Sequence, residues 1–127
     1  MKKGFVLPAA VLAAVLAFCL WNGAAMADQA ARWRDQLDHA ERLAEAGDWA
    51  GAAAAVEAGY ADWTGRQTWL RCVASHDAVN SAEAMYLRAM AFAKSEEDSE
   101  FRAELADLRA QLRLLAEMEK FSLSNVL

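Results

Sequence analysis

Cys72 and His76 stand four residues apart, the spacing that puts two side chains on one turn of a helix. There an imidazole can take a thiol proton and leave a nucleophilic thiolate, the first need of cysteine-dependent acyl transfer. Both residues also fall on an apolar helical stripe, and no glycine-rich segment beside them offers an oxyanion site. A core cysteine next to a core histidine is therefore the expected reading. A metal would have to recruit His76, Asp77 and Cys72, joined by His39 and Asp35. Zinc needs three or four ligands converging at about 2.0–2.3 Å, yet Asp77 lies about 100° around the helix from His76. Nothing in the sequence places His39 opposite them, and Asp35 with His39 fits an i,i+4 surface pair. Glu96, Glu97, Asp98 and Glu100 read as a solvated loop and helix start rather than a calcium loop. No Ser-His-Asp set, phosphate-cradling loop or dinucleotide fingerprint is present. The expectation is a non-enzymatic protein with no catalytic residue, no metal and no cofactor.

Aromatic residues are the other chemistry on offer. Trp33, Trp49, Trp63 and Trp69 all fit apolar faces, so core packing is expected of them, with an aromatic-lined groove as the alternative. The residues best placed to contact a partner are Trp69, Phe92, Phe121, Leu123, Val126 and Leu127.

These side chains sit in a chain of 127 residues, room for one domain. With 57% hydrophobic and 24% charged residues it is not a disordered chain. Isoleucine is absent, proline occurs once (Pro8), and alanine and leucine dominate, which favours helices over strands. A net charge of −5 argues against nucleic acid as a partner.

The first 27 residues have the layout of an export signal: Lys2 and Lys3, an apolar run from Phe5 to Trp21, then Ala25-Met26-Ala27. Cleavage between Ala27 and Asp28 is the leading expectation. An uncleaved membrane anchor is its rival, and the bulk of the chain lies outside in both. After cleavage one domain, residues 28–127, would carry a charge of about −7, with Cys72 its single thiol and no internal disulfide.

The pattern from residue 28 onward predicts an all-α antiparallel bundle of about four helices. Trp33, Leu37, Ala40 and Ala44 mark a first helix over residues 29–46, stopped by Gly47. Asp48 caps a second over 49–62, whose stripe is Trp49, Ala53, Val56, Tyr60 and Trp63. Thr64 and Gln67 fit a capping box that opens a long third helix, Gly65 to Lys94. Its face carries Cys72, His76, Val79, Tyr86, Met90 and Ala93. Ser95 with Asp98 signals a fourth helix to about Lys120, with Phe101, Leu105, Leu108, Leu112 and Leu115 as its seam. The tail from Phe121 is apolar enough to fold back on the bundle.

The hairpin at Gly47-Asp48-Trp49 and Ala52 resembles a tetratricopeptide unit. Gln36, His39 and Ala40 occupy that motif's other positions, however, and no second copy follows. A broader resemblance covers nearly the whole chain. The N-terminal apolar segment, the turn at 46–49, Trp63 closing its helix, the stretch Ser75-His76-Asp77-Ala78-Val79-Asn80 and the ending Glu119 to Leu127 resemble a bacterial family of unknown function, numbered 4363. The resemblance singles out Trp49, Trp63, His76, Asn80 and Asn125 as motif residues without an assigned role. Such members often carry an acidic residue two after the histidine, where this chain has Ala78. It implies a small helical protein, exported or tethered at the outer face of the membrane. From the apolar faces of the bundle, the leading expectation is an interaction domain that binds a membrane-protein partner or a second copy of itself through an apolar groove. The second expectation is a carrier that holds a small apolar ligand between its helices.

Overall fold

The computed structural model describes the backbone of residues 2–68, 70 and 75–126, and the side chains of most of these up to residue 118. Four helices make up nearly all of it: α1 (Lys2–Glu45), α2 (Trp49–Gly65), α3 (His76–Lys94) and α4 (Asp98–Val126). No strand occurs among the described residues. Each helix packs on the next and α4 closes back on α1, so the order around the bundle is α1, α2, α3, α4.

The core follows the helical stripes. From α1 come Trp33, Leu37, Ala40 and Ala44, from α2 Val56 and Trp63, and from α3 Val79, Tyr86 and Ala93. The α4 seam is buried throughout: Phe101, Leu105, Leu108, Leu112 and Leu115. Small residues set the spacing elsewhere. Ala82 and Ala89 fill the α3 face, while Ala52 and Gly59 let α2 approach α1. A β-carbon on Gly59 would lie 3.2 Å from Gln36 Oε1 and 3.6 Å from a ring carbon of Tyr86.

Two turns at one end of the bundle share a construction. After α1, the Asp48 amide donates to the Leu43 carbonyl and the Gly47 amide to that of Ala44, with Gly47 at φ +82°. After α3, the Glu97 amide donates to Phe92 and the Glu96 amide to Ala93, with Glu96 at φ +54°. The second turn thus places a residue with a β-carbon where the first uses glycine. Asp48 caps α2 as its position predicts, accepting from the Gly51 amide at 2.9 Å.

The structure departs from the sequence expectations in five places. α1 does not begin after the apolar segment; segment and first bundle helix are one continuous helix. The Thr64–Gln67 capping box is absent, because α2 runs through Gly65 and the Thr64 hydroxyl donates to the Tyr60 carbonyl one turn back, at 2.8 Å. The long third helix is interrupted: Ser75 is extended (φ −69°, ψ 145°) and its hydroxyl oxygen caps α3 at the Ala78 amide. Ser95 ends α3 instead of starting α4, which opens after the left-handed Glu96; and α4 stays helical to Val126 instead of folding back at Phe121.

Charged pairs lace the helix boundaries. Arg109 Nη1 reaches both Asp38 and Glu41 on α1 at 3.1 Å, and Arg88 Nε meets Glu104 at 2.9 Å. The Gln111 amide donates to the Ala78 carbonyl at 3.0 Å, tying α4 to the first turn of α3. Arg88 pairs with a buried Glu104 and Arg109 is itself largely covered, so these pairs are only partly open to solvent.

The unequal turns give a direct test. Glu96→Gly relieves a left-handed residue and is expected to raise stability by about 0.5–1 kcal/mol, whereas Gly47→Ala lowers it by about 1 kcal/mol. Thermal unfolding of the full chain in detergent, followed by far-UV circular dichroism, reads both. Equal midpoints for the three proteins would overturn the assignment.

Candidate functional site

The apolar half of α1 projects from the bundle. Within Gly4–Glu45 an 18-residue window has a mean hydropathy of 2.3, and none of that window is buried. By length and composition it is able to cross a membrane: 18 residues rise about 27 Å against a hydrocarbon core of about 30 Å. Phe18 and Trp21, at the end of this stretch, are 62% and 67% exposed.

Where α1 enters the bundle, an open cleft of about 500 Å³ lies between it and the C-terminal end of α2. Its lining is Phe18, Trp21, Ala24, Ala25, Asp28, Gln29 and Arg32 from α1, with Arg66 from the α2 end. Phe18, Trp21, Ala25, Asp28 and Arg32 recur at steps of 3, 4, 3 and 4, so one helical face supplies most of the wall. The lining passes from aromatic and small side chains near the apolar segment to charged ones near the bundle.

Behind this cleft a polar knot fastens α1 to α2. Asp62 Oδ2 accepts from Gln29 Nε2 and from the Trp33 indole N–H, both at 2.7 Å, while Asp62 Oδ1 lies 3.7 Å from Arg66 Nε. Gln29 and Trp33 are buried. Two buried donors thus converge on one carboxylate oxygen, the pairing that lets polar groups leave water without loss. Trp33 meets Trp63 edge-on at 5.1 Å between ring centres, and Trp63 meets Tyr86 at 5.6 Å. Across from them, Tyr60 Oη and Gln67 Nε2 donate to Glu83 Oε1 at 3.2 and 3.3 Å.

Several buried polar atoms have no partner among the described residues: Gln29 Oε1, Gln36 Oε1, Trp63 Nε1 and the Tyr86 hydroxyl. Burial, and secondarily the charge of Asp62, pushes the Tyr86 phenol well above its ordinary value of 10.0.

The residues singled out from sequence are scattered. His76 is not a core residue: it is the first residue of α3, exposed, because the apolar stripe runs off the end of the bundle there. Cys72 and Trp69 lie outside the described residues, as does Leu127. Phe121, Leu123, Asn125 and Val126 belong to α4, but their side chains are outside the described set. Phe92 is half-buried and packs against the core. Trp49 is half-buried and meets Phe101 edge-on at 5.5 Å, and Trp63 is fully buried. Asn80, Asp77, Asp35 and His39 are exposed. No group of three potential metal ligands occurs among the described residues.

The structure instead assembles Gln29, Asp62 and Arg66 with the cleft residues. A signal for them existed: the α1 stripe continues backward from Trp33 through Ala30 to Met26, all fully buried. It crosses the expected cleavage site without a break.

Asp62→Ala strips the acceptor from both Gln29 and Trp33 and is expected to cost about 2–4 kcal/mol, with Asp62→Asn costing less because one acceptor oxygen remains. Urea unfolding of the two variants checks the order, and equal losses would refute the knot as described. For Tyr86 the sign follows from its raised value. The unfolded chain releases the phenol proton near pH 10 while the folded chain holds it, so stability is full below about pH 10 and falls above it. Tyr86→Phe should match or exceed the parent at neutral pH, since it removes a partnerless buried hydroxyl, and should decline less steeply above pH 10 in thermal melts.

No curated protein and no solved structure matches the chain. A family model does match, over residues 21–126, from the last aromatic of the apolar segment to the end of α4. With most of its length covered, the chain belongs to the family described as a domain of unknown function, DUF4363.

Proposed function

We propose that this protein is a membrane-anchored, non-enzymatic interaction module, its bundle standing at the outer face of the cytoplasmic membrane beside a membrane-protein partner. The observation that carries the reading is Met26. It is fully buried in the bundle core, yet it lies on the N-terminal side of the Ala27–Asp28 bond. Cleavage there would cut an intact helix and remove a core side chain, at a cost of about 2–5 kcal/mol for a buried methionine. The family match beginning at residue 21 supports the same reading, since the shared region includes the residues a signal peptidase would discard. Lys2 and Lys3 before the apolar run favour an inside N-terminus, which leaves the bundle outside.

An unbroken helix also suits an interaction role. No flexible linker separates anchor and bundle, so any partner gripping the membrane segment feels the orientation of the whole domain. The carrier alternative finds less room: Trp33, Trp63, Tyr86 and Phe101 fill the centre of the bundle. What it retains is the cleft at the membrane end.

The intact mass of protein from its native membranes should include residues 1–27, and the protein should resist alkaline extraction. Brief cross-linking before solubilisation should then yield one membrane protein in fixed stoichiometry. A mass lacking residues 1–27 would overturn the anchored reading; an intact chain cross-linked only to itself would replace the membrane-protein partner with a second copy.

A further inference from the structure

We infer that the cleft between α1 and the end of α2 binds the headgroup of an anionic phospholipid from the leaflet that surrounds the apolar segment. The inference rests on the anchored reading above and gives its membrane end a ligand.

Two observations point to this occupant. The first is position. The same face of α1 that forms the cleft wall carries Phe18 and Trp21, at the point where the apolar stretch ends. Trp is the side chain that settles at the headgroup level of a bilayer, its ring apolar and its N–H wet. A cleft opening beside it lies where glycerol backbones and phosphates are, and the alanines at 24 and 25 keep its floor shallow enough for a lipid's backbone to enter.

The second is charge. Two guanidinium groups, Arg32 and Arg66, face one carboxylate, Asp28, on the lining. Arg32 is exposed and makes no ion pair among the described residues, while Arg66 lies 3.7 Å from Asp62, whose other oxygen is already held by Gln29 and Trp33. With Asp62 behind Arg66 the two guanidiniums are balanced by two carboxylates, so the pull on a phosphodiester rests on Arg32, the cation without a partner among the described residues. Arginine's planar fork is the side chain best matched to phosphate oxygens.

The chemistry selected is an anionic phospholipid, such as phosphatidylglycerol, over a zwitterionic one with a choline.

The test uses the full chain in detergent micelles, titrated separately with phosphatidylglycerol, phosphatidylcholine and glycerol phosphate, with retained ligand counted by native mass spectrometry. One phosphatidylglycerol per chain is expected, held about tenfold more tightly than phosphatidylcholine, the scale of one charge-assisted hydrogen bond. Arg32→Gln, which disturbs no described contact, should bring phosphatidylglycerol down to the phosphatidylcholine level, and Asp28→Asn should strengthen it. Far-UV circular dichroism confirms that both variants keep their helices. Equal retention of the two lipids, or an Arg32→Gln protein that binds like the parent, would overturn the proposal. So would glycerol phosphate that binds as tightly as the lipid, which would mean a soluble anion site. A protein cleaved after Ala27 fails the anchored reading in the mass measurement, before any lipid is added; an intact chain indifferent to headgroup fails only this inference.

Discussion

The rest of the structure depends on α1 being one helix. Because it is one continuous helix from Lys2 to Glu45, lacking only the backbone amide of Pro8 near its start, rotation about the helix axis is fixed once and applies to both halves. Packing decides that rotation: Met26, Ala30, Trp33, Leu37, Ala40 and Ala44 must face the bundle. The faces left over are then determined as well. Asp38 and Glu41 meet Arg109 on the α4 side, while Gln29 and Gln36 turn toward α2. Phe18, Trp21, Ala25 and Arg32 lie further round, outside α2. Nothing in the cleft was placed for its own sake; its wall is what the core leaves exposed when it sets the phase of α1.

The two ends of the bundle are built on different chemistry. At the turn-bearing end the contacts are apolar or sit on the surface: Trp49 on Phe101, Leu105 and Leu108 in the seam, Lys94 with Glu57 outside. Toward the apolar segment the interior turns polar, with Asp62 as its acceptor and Gln29, Trp33, Tyr60, Gln67 and Glu83 around it. Partnerless atoms gather in the same half, each at an expected cost of about 1–3 kcal/mol. A small bundle optimised for stability alone would replace Tyr86 by phenylalanine and Gln36 by leucine.

The helical class, the bundle and the α4 seam were legible because they depend on periodicity, which survives in a single sequence. Phe101 to Leu115 repeats at the spacing of a packing seam, and every member of it is buried. Gly47 and Asp48 were equally plain, since only a left-handed stop and a cap explain that pair. The misplaced elements share a cause: a local signal was outweighed by a longer-range one. Thr64 has the right chemistry for a cap, but Trp63 and the helix beneath it hold Thr64 inside α2. His76 keeps the phase of the α3 stripe while sitting beyond the core that gives the stripe its meaning. The candidate site was missed for a related reason. Treating residues 1–27 as a removable segment ended the α1 stripe at Trp33, so Met26 and Ala30 went unread, and with them the neighbours Gln29 and Arg32. Asp62 carries no signal at all in one sequence; an aspartate before a tryptophan looks like any surface carboxylate until two buried donors are found aimed at it.

That last contact also explains why the C-terminal end of α2 stays attached to α1. The chain leaves α2 at Arg66 and α3 begins at His76, with residues 69 and 71–74 between them outside the described set. At the other end, backbone bonds in the turns at 46–48 and 95–97 join the helix pairs, with the Asp48 side chain capping α2. At this end Asp62 supplies a side-chain tie from α2 to α1, with Gln29 and Trp33 as its partners. Leu70, fully buried just after Arg66, fastens the start of the connection to the core in the same region. The arrangement leaves Arg66 on the outer side of a fixed carboxylate, held loosely at 3.7 Å. A guanidinium in that position is already oriented toward the cleft and only weakly paired, so an arriving anion would recruit it without breaking the knot that holds the two helices together.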